Sequence, residues 1–108
     1  MYDSCLFYDL MTEQYFQSSI AAFMYAMLQL NRQLVFDGWV SVDDLCELLA
    51  IPHIDGAELI GWESPHSCEW IDAHIERTTT DDGLEVSVIV YDTKPVNYDI
   101  DLYYVNTK

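Results

Sequence analysis

Residues 70–91 read WIDAHIERTTTDDGLEVSVIVY, and their period decides the class of fold. Ile71, Ala73 and Ile75 alternate with Asp72, His74 and Glu76; Leu84, Val86, Val88 and Val90 then alternate with Glu85, Ser87 and Tyr91. Successive side chains on a strand point to opposite faces, so a period of two predicts two strands, with the valine set facing inward. Thr79 to Gly83 joins them as a hairpin loop. Beyond Pro95, Tyr98, Ile100, Leu102 and Tyr104 alternate with Asp99, Asp101 and Tyr103, which extends the pattern to a third strand.

Upstream the period is that of a helix. Phe16, Ile20, Phe23, Met24, Met27, Leu28, Leu30 and Leu34 recur at steps of three and four, which predicts a long amphipathic helix starting near Ser4 or Thr12. Its other face, with Gln17, Ser18, Ala21, Tyr25, Gln29 and Arg32, is poor in charge. Either both sides pack within the domain or the helix supplies a helix-helix dimer contact, so a homodimer stays open. Asp37-Gly38 suits a tight turn. Ser41 then caps a short second helix, with Asp44 at the third helical position and Val42, Leu45, Cys46, Leu48 and Leu49 as its buried stripe. Pro52 ends it, Asp55-Gly56 turns the chain, and Leu59 to Trp62 is a short apolar run. The expected fold is α+β: a long N-terminal helix, a short second helix and a C-terminal antiparallel meander of about three strands, in one domain over residues 1–108.

Composition agrees with a folded domain, since 51% of the 108 residues are hydrophobic and 14% aromatic. Such a chain can build a core without metal or disulfide. Phe23, Met27, Leu45, Leu49, Trp62, Val86 and Val88 are the expected core. The scattered Cys5, Cys46 and Cys68 read as reduced thiols of a cytoplasmic protein. The uncharged stretch over residues 14–31 is too polar for a membrane span, and no basic segment precedes it to make a signal peptide.

Charge is the strongest functional signal. Nineteen Asp and Glu oppose four Lys and Arg, a formal net charge of -15. Only Asp3, Asp9 and Glu13 precede residue 37, so 19 - 3 = 16 acids fall in the later two-thirds. A field of this sign excludes nucleic acid as a direct ligand and favours a basic protein partner, of the kind whose surface holds nucleic acid. Residues two apart on a strand lie about 6.6 Å apart on one side. Asp72 with Glu76, Glu85, and Asp99 with Asp101 could therefore present rows of carboxylates in place of phosphates, and these five are the candidate partner-binding residues.

Other chemistries fail on spacing. An EF-hand register through Gly38 puts Gln33 and Val35 at the first and third ligand positions, where carboxylates are needed. A helix-turn-helix starting at Val40 would have a recognition segment without Lys or Arg. His66, Cys68 and His74 match no zinc spacing. Neither a nucleophile elbow nor a Gly-rich phosphate loop is present. The expectation is a non-enzymatic protein without cofactor.

The segment from Tyr15 to Trp62, with Val40-Ser41-Val42-Asp43-Asp44-Leu45, Leu48-Leu49-Ala50-Ile51-Pro52, Gly56 and Ile60-Gly61-Trp62, resembles uncharacterised small proteins carried by phages and prophages of Gram-positive bacteria. The resemblance implies a mobile-element setting, where small acidic proteins act as inhibitors of host defence nucleases by imitating nucleic acid. The functional expectation is an inhibitor of anti-CRISPR or anti-restriction type. The alternative is an interaction or assembly module whose acidity serves solubility.

Overall fold

The computed structural model describes residues 4–64 and 68–97. Among the described residues the first elements are strands. β1 (Cys5–Asp9) and β2 (Gln14–Ser18) form an antiparallel hairpin in which Phe7 faces Phe16 and Tyr8 faces Tyr15. The expected helix start falls here because Phe16 fits a helical stripe, yet Phe7, Tyr8, Tyr15 and Phe16 are residues that prefer a pleated surface. Their rings pair across the strands, with centroids 5.6 Å apart for Phe7 and Phe16 and 4.6 Å for Tyr8 and Tyr15. The turn is held by Asp9, whose buried Oδ2 accepts from the Thr12 backbone N–H at 3.0 Å and from Thr12 Oγ1 at 2.6 Å.

Helix α1 (Ile20–Asp37) starts where Ser19 accepts the Ala22 N–H on its hydroxyl and stops at Gly38, whose positive φ closes a bond from its N–H to Leu34 O. Gly38 is thus a helix C-cap instead of a tight turn. Trp39–Ser41 (β3) leads into α2 (Val42–Leu49), where Ser41 and Asp44 form the expected capping box and Val42, Leu45, Cys46 and Leu49 are buried. A 3-10 turn at Ala57–Leu59 opens β4 (Ile60–Glu63), followed by β5 (Ala73–Thr79), β6 (Glu85–Tyr91) and β7 (Val96–Asn97).

The class is α+β, but the arrangement corrects the expected one: strands precede the helices, and there is no three-stranded meander among the described residues. One sheet has the order β2-β1-β6-β5, with β1 parallel to β6; a second has the order β3-β4-β7. β7 pairs with β4, so the chain after Pro95 leaves the β5-β6 hairpin and joins the other sheet. Alternation over Tyr98, Ile100, Leu102 and Tyr104 lies outside the described residues.

The inner face of β6 is also the reverse of the expected one. Ile89 is fully buried and Ser87 nearly so, and Tyr91 packs against the core, on the face that carries Ile75 and Phe7. The apolar alternation of Val86, Val88 and Val90 points to the outer face, where Val86 is nonetheless buried and Val88 half-buried. Both faces of β6 are apolar because it is a central strand flanked by β1 and β5, and alternation alone cannot then say which side is inside. The rest of the predicted core, Phe23, Met27, Leu45, Leu49 and Trp62, is buried. Within it Cys46 sits between burial and the nearby Asp9 and Asp43 charges, which push its thiol up to about 11. Burial and then Asp9 likewise raise the phenol of Tyr91.

Candidate functional site

The β5-β6 hairpin forms one edge of the four-stranded sheet. Cross-strand partners share a face. The pairs Ile75↔Ile89, Arg77↔Ser87 and Thr79↔Glu85 mark the inner side, and His74↔Val90, Glu76↔Val88 and Thr78↔Val86 the outer. Glu76 therefore stands on the outer face and Glu85 on the inner one, out beyond the core and exposed. Asp72 precedes β5 at the base of the arm. Its carbonyl accepts the Asp92 N–H at 2.8 Å and its own N–H donates to Thr93 Oγ1 at 2.9 Å. Asp99 and Asp101 lie outside the described residues. The structure thus places Asp72, Glu76 and Glu85 on one hairpin without gathering them on a single face.

Three further exposed acids belong to this arm. Asp81 and Asp82 occupy its turn, where Thr80 Oγ1 donates to Asp82 Oδ1, the Leu84 N–H donates to Thr80 Oγ1 at 3.0 Å, and the Gly83 N–H closes on Thr80 O at 2.9 Å. Asp92 follows β6. The Asp-Asp-Gly turn was visible in the sequence. The position of Asp92 was not, because it depends on the β5-β6 register.

That register puts His74 between two carboxylates. Its Nδ1 lies 2.8 Å from Asp92 Oδ2 and its Nε2 lies 2.9 Å from Glu76 Oε2. The hydrogen bond to Asp92, then that to Glu76, hold the imidazolium above its ordinary value of 6.5. A group with a raised folded pKa stabilises the fold fully below its unfolded value, and this contribution is lost as pH rises through the folded one. Tm is therefore expected to fall as pH rises from about 6.5, and His74→Gln should flatten that dependence; calorimetry across the range checks both. An unchanged slope in the variant would remove His74 as its source.

A second feature lies at the base of the arm, against α1. Asn31, buried in α1, donates from Nδ2 to Met27 O and to Ile71 O, at 3.1 and 3.0 Å, and accepts the Ile71 N–H on Oδ1 at 2.7 Å. It staples the segment before β5 to the helix and holds Trp70 beside α1. Between them runs an open groove of about 470 Å³, lined mainly by Met24, Tyr25, Leu28, Trp70 and Ile71, with Asp72 at its border. Met24 and Leu28, assigned from periodicity to the buried stripe, are exposed. The charge-poor outer face of this helix was the signal for such a surface. Among the described residues, no group of three or more His, Cys, Asp or Glu is placed to hold a metal ion, and no helix is long and apolar enough to cross a membrane.

Residues 2–101 match a family of unknown function (DUF6353). No curated protein and no solved structure matches the chain.

Proposed function

The chain belongs to DUF6353, a family of unknown function, and for this member we propose a non-enzymatic protein that occupies a basic, nucleic-acid-binding surface of another protein by offering carboxylates where phosphates would sit. The observation that carries this reading is the β5-β6 arm: Asp72, Glu76, Asp81, Asp82, Glu85 and Asp92 are all exposed on it, with Arg77 its one Lys or Arg. Carboxylates along the β5 edge of the sheet and at the hairpin tip give a polyanionic border, suited to a basic cleft that encloses its ligand from more than one side. Glu85 on the face away from Glu76 is compatible with such enclosure, although not with a flat carboxylate row. The resemblance to phage and prophage proteins supports a host defence nuclease, a CRISPR effector or a restriction enzyme, as the target.

The second reading, an interaction or assembly module with acidity for solubility, is favoured by the apolar outer face of α1. Salt separates the two. Steered association reaches about 10⁸–10⁹ M⁻¹s⁻¹ at low salt against roughly 10⁵–10⁶ for neutral surfaces. A target captured from host lysate at low ionic strength should bind fast, lose affinity with salt and be displaced by its own nucleic acid. Changing Glu76 and Glu85 to Gln together with Asp81 and Asp82 to Asn should slow association by about 10-fold or more. A target that holds this protein and nucleic acid together, indifferent to salt and to these substitutions, overturns the mimic reading.

A further inference from the structure

Helix α1 has two apolar stripes. Phe23, Ala26, Met27, Leu30 and Leu34 are buried on one side. At about 100° per residue, Ala21, Met24, Tyr25, Leu28, Val35 and Phe36 fall within roughly 120° of arc on the other, with Arg32 the one charged residue among them. All six are exposed, Met24 and Tyr25 at 63% and Phe36 at 75%. More than half of each of the five large side chains stays in solvent.

We propose that a second copy of the chain covers this face, with α1 packed antiparallel on α1 about a two-fold axis at Leu28. Spacing, area and charge each favour that occupant. Ala21, Leu28 and Val35 lie seven residues apart, the interval that keeps a seam facing a partner helix at a shallow crossing angle. With Leu28 on the axis, Ala21 of one copy opposes Val35 of the other, small against large. The exposed stripe together with Trp70 offers on the order of 700 Å² of side-chain surface, close to the roughly 800 Å² per partner of a standard specific interface.

Charge supplies the third argument. Two chains of net charge -15 repel over most of their surfaces. Residues 14–36 contain no Asp or Glu, so α1 is where two copies approach with least repulsion. Arg32, whose guanidinium lies 5.7 Å from the centre of its own Phe36 ring, falls opposite Met24 in this arrangement, at the groove bordered by Asp72 of the second copy. A single helix face then gains an ion-pair partner at each end by symmetry.

Sedimentation equilibrium of the full chain under reducing conditions, at salt concentrations from about 0.05 to about 0.5 M, tests the proposal. A reversible dimer is expected, and its Kd should fall as salt screens the mutual repulsion. This is the opposite sign to the salt dependence of the acidic arm, so the two interactions are judged separately. Leu28→Glu sets two carboxylates face to face on the axis and should raise Kd by about 100-fold or more. Leu28→Gln should weaken the dimer less. Because Leu28 is exposed, both variants should keep the thermal transition of the monomer, read by circular dichroism. A wild-type chain that stays monomeric at high concentration and high salt overturns the proposal, as does a dimer that Leu28→Glu leaves intact or that salt dissociates.

Discussion

Gly61→Ala is expected to remove most of the stability of the domain. A Cβ at this position would stand 2.0 Å from Val40 O, 2.8 Å from Ser41 Cα and 2.8 Å from the Trp39 ring. Two of these three atoms are backbone, and they belong to β3, the antiparallel partner of β4 in which Ser41 faces Gly61. Relief therefore requires the two strands to part. Ser41 is also the N-cap of α2, so moving β3 disturbs the capping box, and moving β4 displaces Trp62 next along the strand. The expected cost exceeds about 4 kcal/mol, against a total of about 5–15 kcal/mol for a domain of ordinary stability. Urea denaturation checks it: the variant should have lost its cooperative transition or show it at a far lower midpoint. A midpoint near that of the wild type would mean that the strands accommodate a methyl group, contrary to this packing.

Trp62→Ala should have the next largest effect, about 3–5 kcal/mol from lost burial and the cavity left behind. Trp62 is fully buried, its ring centroid 6.2 Å from that of Tyr91, and its indole N–H donates to Thr93 O at 2.9 Å. It links the two sheets: its ring meets Tyr91 of β6, and Thr93 also receives the Asp72 N–H on its hydroxyl at the base of the acidic arm. Trp62→Phe keeps much of the apolar volume and loses the donor to a half-buried acceptor, leaving a cost nearer about 1 kcal/mol. Comparing the two variants by urea midpoint separates packing from the hydrogen bond. Equal and small losses would show that Trp62 does not bridge the sheets.

The paired salt dependences are informative for the biology as well as the structure. The acidic arm should release its target as ionic strength rises, whereas the α1 contact should tighten. A dimer would carry two arms on one particle, so a target with two basic sites would be held more firmly than one with a single site.

Local signals were sufficient for several elements. Ser41 with Asp44, followed by Val42, Leu45, Cys46 and Leu49, determined α2, because a capping box and a helical stripe are settled within a few residues of chain. The Asp55-Gly56 turn and the two strands of the hairpin were equally local, and charge counting placed 16 of the 19 acids from Asp37 onward. Three things were decided only by tertiary structure. Phe16 fits a helical stripe and a strand equally well, and it became a strand because Phe7 was there to pair with it. The inner side of β6 was fixed by β1, which joins it in parallel from the far end of the sequence and puts Ile89 in the core. The exposure of Met24 and Leu28 depends on what packs against α1: sequence periodicity reports that a helix is apolar on two sides, while only the arrangement of the sheets and of α2 determines which side the domain itself covers.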